Sequence, residues 1–231
     1  MQPINASTKE FSAIDQGLRE HMVALYRVLG TGLLATAASA WVTTETGLRE
    51  ILIGSEGLTG LGYVFLFAPV VLLLVAGLGI GGRNLKTVYW LFVLLQGPGL
   101  ALALNGVSQG SVINAAAAAA AMFGAASLYG YTSRRDLTSM GAFMFMGLVG
   151  LVIASIINLF LASTALDWAL SCIAVVVFTG LTAWDTQRIK EAYDLCSSED
   201  DLANMRYGSA LRLYLNVLNL FLAILSFGRK E

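Results

Sequence analysis

The sequence predicts an all-α integral membrane protein of seven transmembrane helices. Three observations carry that reading. Of 231 residues, 57% are hydrophobic. Only 13% are charged, about half the ~25% of a soluble domain. The charges are also spaced so that apolar gaps lie between them, and a helix needs ~20 mostly apolar residues to cross a ~30 Å hydrocarbon core. A mean hydropathy of +0.72 exceeds what a soluble fold can bury, because even large domains leave much of the chain at the surface. A soluble enzyme, a disordered chain and a secreted disulfide scaffold are excluded on these grounds.

Each element follows from a gap. Residues 9–20 space Phe11, Ile14 and Leu18 along one helical face, which predicts a short interfacial helix. It belongs to a cytoplasmic or interfacial segment, 1–21. The first span is 28–44. Ala38-Ser39-Ala40 looks like a leader-peptidase site, but the stretch before it carries Glu10, Asp15 and Glu20, unlike a short basic leader. The second span is 57–82, between Glu56 and Arg83. Its Gly77 and Gly81 form a GxxxG, read as a packing device. Lys86 to Arg134 leaves 47 residues without a charge, enough for two helices. They divide at Asn105–Gly110, the polar, glycine-rich break. Alanines 115–121 suggest close helix contact. The fifth span lies between Asp136 and Asp167, the sixth is 168–184, and the last runs from Tyr207 to Phe227. One seven-helix membrane domain, 1–231, results.

Orientation follows from lysine and arginine in short loops. With the N-terminus inside, the inner segments hold Lys9, Arg19, Arg27, Arg83, Lys86, Arg134, Arg135, Arg188, Lys190, Arg206 and Arg212. The outer side holds Arg49, Arg229 and Lys230. The cytoplasmic N-terminus is therefore preferred, and seven spans place the C-terminus outside. The Arg229-Lys230 pair opposes that end, and a six-span or re-entrant reading would return it inside.

Site chemistry is narrow. The net charge of −1 implies no nucleic-acid partner. Cys172 and Cys196 are too few and too far apart for a disulfide framework. With one histidine, His21, no Ser/His/Asp or Cys/His set can form, and no zinc or iron–sulfur site is expected. No enzyme activity, cofactor or metal centre is expected. Ser198-x-x-Asp201 fits a helix-start cap rather than a calcium loop.

Polar groups at membrane depth are costly, so they point to function. Asp185 ends the sixth span, with Thr182 three residues before it on the same face. A snorkelling interfacial carboxylate is the plainer reading. A helix end disfavours a negative charge, less so if the helix continues through Arg188. Arg83 closes the second span and could be an ordinary inner-loop cation. Asn216 and Asn219 share a face of the last span, and Arg212 lies four residues earlier. Interhelical hydrogen bonding would explain the amides. Asn216 lies about 13 Å into the span at 1.5 Å per residue. Asp185, Arg83 and the amides can thus converge in the cytoplasmic half.

Two blocks are distinctive. Phe178-Thr179-Gly180-Leu181-Thr182-Ala183-Trp184-Asp185-Thr186-Gln187-Arg188-Ile189-Lys190, followed by Ala210-Leu211-x-Leu213-Tyr214-Leu215-Asn216-x-x-Asn219-Leu220-Phe221, resembles the Bax inhibitor-1 family, in its bacterial form. The resemblance implies a last helix at the centre, wrapped by six others in two three-helix layers. It implies a proton-sensitive leak for calcium or other cations in the plasma (inner) membrane. It also implies a pair of aspartates in the sixth and seventh spans, and an arginine of the second span that latches onto the first of them. Asp185 matches the sixth-span aspartate, and Arg83 the arginine. Asn216 stands at the position of the second aspartate. An asparagine cannot share a proton, so weakened pH sensing is expected. The competing expectation is a regulator that binds a membrane-anchored protease through its N-terminal segment, with Lys9, Glu10, Asp15 and Arg19 as contacts. A transporter with inverted repeats finds no paired broken helices.

Overall fold

A computed structural model describes residues 4–54, 57–77, 84–196 and 198–228, with side chains for 16–54, 57–75, 84–196 and 198–227. The chain is helical: α1 Ile4–Glu45, α2 Leu48–Leu52, α3 Gly60–Gly77, α4 Leu85–Ala103, α5 Gln109–Thr132, α6 Thr138–Leu161, α7 Thr164–Tyr193 and α8 Glu199–Gly228. A two-stranded antiparallel turn, β1 Ile53–Gly54 with β2 Gly57–Leu58, sits between α2 and α3.

Among the described residues, six helices are long and apolar enough to cross a bilayer: Gln16–Glu45, Leu85–Ala103, Gln109–Thr132, Thr138–Leu161, Thr164–Tyr193 and Glu199–Phe227. Gly60–Val75 is apolar but shorter. The expected second span, 57–82, runs past Gly77 into residues outside those described, as do Gly81 and Arg83. Three boundaries differ from expectation. Residues 9–20 are no separate interfacial helix but part of the 42-residue α1, because no proline interrupts the helical run. α7 extends well past residue 184, which puts Asp185 in a helix interior. α8 starts at Glu199 rather than Tyr207, so Arg212 lies in its fourth turn instead of the second. The start is capped as expected: Ser198 Oγ accepts from Asp201 N at 3.1 Å.

The surface confirms the solvent. On α6, Phe143 is 70% exposed, Leu159 80% and Phe160 86%. In water such a face would drive association, whereas lipid requires it. Of the alanines 115–121, only Ala115 and Ala119 are buried. They are four apart on one face, so the run packs along one stripe and shows the rest of its surface outward.

The chain divides into two compact units: Met1–Asn105 with Tyr193–Leu211, and Gly106–Ala192 with Arg212–Glu231. In the first, α4 packs against α1 and α3. Pro98 lies inside α4 and has no N–H for the carbonyl four residues back, that of Leu94. Ser39 Oγ of α1 donates to Leu94 O at 2.9 Å. Thr36 Oγ1 donates to Val93 O at 3.0 Å, and Tyr89 OH to Val28 O at 2.8 Å. Gly97 and Gly32 permit this approach: a Cβ on Gly97 would strike Ser39, and one on Gly32 the Tyr89 hydroxyl.

In the second unit, Ala119, Leu151, Val177, Phe178, Leu181 and Leu220 form the apolar core. The turn between α4 and α5 falls at the polar break, with Gly106 at φ 75° and Ser108 capping α5. Gly130 lies against the Ala183 carbonyl and Gly141 against the Trp184 ring. Gln187, 5% exposed, staples the α5–α6 turn. Its Oε1 accepts from Leu137 N and its Nε2 donates to Arg135 O, each at 2.8 Å.

Candidate functional site

Asp185 and Asn216 meet. Asn216 Nδ2 donates to Asp185 Oδ2 at 2.8 Å, and each residue is 6% exposed. An ionised carboxylate only accepts, which turns the amide nitrogen toward it. Arg212 Nε stands 3.6 Å from the other oxygen, Asp185 Oδ1, with its side chain 47% exposed. One carboxylate is thus held by a neutral donor on one oxygen and a cation on the other. Arg212 and Asn216 are four apart on α8, so one helix face presents both partners to α7.

Packing explains the placement. α7 carries a buried stripe of Leu181, Thr182, Asp185, Thr186 and Ile189, spaced at three and four residues. Thr182 does not join Asp185; its hydroxyl donates to Phe178 O at 2.7 Å. Thr186 Oγ1 donates to Thr182 O at 2.8 Å and contacts Ser127 Oγ of α5 at 3.0 Å. Both threonine hydroxyls donate to carbonyls of α7 itself, so the partners of Asp185 come from α8. Arg188 lies over the Trp184 ring at 5.2 Å.

Asn219 does not touch Asp185. Its Nδ2 donates back to Leu215 O at 2.8 Å. It lines an open cavity of about 680 Å³ between α6, α7 and α8, together with Ser155, Asn158, Asp167 and Ser171. Asn219 lies one turn along α8 from Asn216. On α7 the lining residue nearest Asp185 is Phe178, about two turns before it. Arg83 lies outside the described residues. Among the described residues Arg212 is ion-paired with Asp185; sequence spacing placed it on the amide stripe but did not pair it with a carboxylate. Gln187 was not anticipated. Its signal was a polar side chain two residues past Asp185 in a helix too long to stop at the membrane surface.

Apolar helices of spanning length, with a buried carboxylate–amide pair and a half-exposed guanidinium beside it, define an integral membrane protein. The family model described as Inhibitor of apoptosis-promoting Bax1 matches residues 18–230. The chain belongs to the Bax inhibitor family. An uncharacterized protein of Rickettsia prowazekii (RP147) is 38% identical over 224 residues, covering 96% of this chain and 94% of that one. An uncharacterized protein of Caulobacter vibrioides is 37% identical over 231 residues, covering 95% and 92%. The inner membrane protein YbhL of Escherichia coli K12 is 35% identical over 219 residues, covering 93% and 94%.

Proposed function

We propose that this protein is a cation leak channel, calcium being the first ion to test, closed by the Asp185 cluster. The observation that carries the reading is the buried carboxylate shared by Asn216 and Arg212. A charge at membrane depth is costly, so its presence there points to function. A passing cation would compete with Arg212 for Asp185, and the Asn216 carbonyl could offer a further oxygen ligand. The cavity lined by Asn219 and Asp167 supports a wet approach to that point. The latch that the family resemblance assigns to Arg83 stays part of this proposal, beside the contact that Arg212 makes with Asp185. The protein has no catalytic role in this reading. It has seven spans, with residues 57–82 as the second and α8 central, and a cytoplasmic N-terminus. The likeness to the inner membrane protein YbhL of Escherichia coli supports the inner membrane as its location.

The test is calcium flux into liposomes carrying the purified protein. Asp185→Asn and Arg212→Gln should each change the flux several-fold, because each breaks the closed arrangement. Flux from the wild type that neither substitution alters rejects the gate. No flux above empty liposomes rejects the channel and returns weight to a regulator of a membrane-anchored protease.

A further inference from the structure

The chain has one histidine, and its setting is unusual. His21 is 4% exposed. Neither ring nitrogen has a hydrogen-bond partner, and the buried Nε of Arg206 has none either. Buried polar atoms are nearly always paired, so each orphan calls for a reason. The Tyr193 ring packs on the imidazole, centroids 5.4 Å apart and tilted by 51°. The Tyr193 hydroxyl occupies the space that a side chain on Gly17 would need. Gly17 and His21 are four apart on α1, so one face of that helix presents both to Tyr193.

We propose that His21 is the proton-binding group of this chain, and that its protonation loosens the contact of α1 with the end of α7 and with α8. Neutral imidazole fits beside a guanidinium. Imidazolium sets a second positive charge there, shut from water. Among the described residues, the groups facing that charge are few. α8 offers Arg206, of like sign. The end of α7 offers Tyr193, an aromatic face. On α4, Lys86 is exposed and the Tyr89 hydroxyl is committed to Val28 O. On α1 itself, Arg19 and Glu20 are exposed, and Glu20 is bonded to Gln16. Among the described residues no carboxylate pairs with Arg206. The proton can therefore be accommodated by separating the helices, which admits water to all three orphaned atoms. Histidine is the side chain whose ordinary titration falls in the physiological range. The two elements it would release, α7 and α8, are those that carry Asp185 and Asn216. A pH response would then come from α1 and not from a carboxylate pair.

The experiment is hydrogen–deuterium exchange on the full chain in liposomes, corrected for intrinsic exchange chemistry, at about pH 8 and about pH 5. Peptides from 16–28 and 199–212 should exchange about tenfold faster at the lower pH. His21→Phe keeps a ring against Tyr193 but takes no proton, and should abolish the change. Arg206→Met removes the like charge and should diminish it, which keeps the test decisive if the phenylalanine variant fails to insert. A single histidine gives a single imidazole signal in a ¹³C-histidine sample, and its titration should coincide with the exchange change. No acceleration in the wild type, an undiminished one in either variant, or a titration that does not track it overturns the proposal. The link to conduction alone rests on the channel reading, so absent flux with intact pH-dependent exchange would reject the channel and leave the proton site standing.

Discussion

Asn216 separates this chain from the carboxylate pair that its family resemblance implies. The amide donates one hydrogen bond to Asp185 and does not titrate. Asn216→Asp would place a second carboxylate where the amide nitrogen now sits at 2.8 Å. Two carboxylates that close cannot both ionise easily and share a proton. On the channel reading, the variant's calcium flux should gain a pH dependence that persists when His21 is replaced by phenylalanine. A flux with an unchanged pH profile would show that residue 216 does not set proton response. Asp136 offers a pH effect of another kind, outside the spans. Hydrogen bonds from the Thr138 side chain and backbone hold its carboxyl below the usual carboxylate range, and its Oδ1 accepts from Thr138 N at 2.8 Å. A carboxyl depressed on folding contributes stability above its unfolded value, and this is lost as pH falls through the folded value. Asp136→Asn keeps an acceptor for Thr138 N and removes the titration. The fall in melting temperature between about pH 7 and about pH 3 should be slightly smaller in the variant, since an exposed group carries little.

At the scale of the element, α1 and α4 join through carbonyls that a proline sets free. Without Pro98 N–H, Leu94 O needs another donor, and Ser39 supplies it. Ser39→Ala should therefore destabilise by about 0.5–1.5 kcal/mol. In a Pro98→Ala background an N–H returns to α4, and the same serine substitution should cost close to nothing. The coupling is read from a double-mutant cycle of denaturant unfolding in detergent. Additive costs would mean that Ser39 and Pro98 are independent. The glycines serve the same end. Gly130 and Gly141 let α5 and α6 approach α7, and any side chain there meets the Ala183 carbonyl or the Trp184 ring. Helix length also belongs here. α7 continues through Gln187 to Tyr193, which removes the helix-end penalty from Asp185 and places Gln187 where it can hold the α5–α6 turn.

For the whole molecule, the question is the number of crossings. Six described helices have the length and composition to span, and Gly60–Val75 is apolar but shorter. Seven crossings put the two termini on opposite sides. On the proposed orientation, green fluorescent protein fused to the N-terminus should fluoresce, and alkaline phosphatase fused after residue 231 should be active outside the plasma membrane. Fluorescence from a C-terminal fusion, with an inactive phosphatase, would mean an even number of crossings, with 57–82 failing to span.

Composition and charge spacing determined that this is a helical membrane protein, because lipid leaves a chain few ways to satisfy its backbone and none to hide many charges. The same spacing located the break at Asn105–Gly110, the cap at Ser198 and the shared face of Arg212 and Asn216, all of which are local. The two blocks around Asp185 and Asn216 pointed to the family. Helix ends were less legible, since α7 and α8 continue past the apolar window on polar residues that tertiary contacts stabilise. The partners of each polar group were decided only by tertiary structure. Periodicity assigns a residue to a face, and the crossing of two helices decides what that face meets. Hence Asn216 bonds Asp185 while Asn219, one turn on, lines a cavity. Likewise, His21 lies buried beside Arg206, where the sequence shows only a lone histidine ahead of the first apolar run.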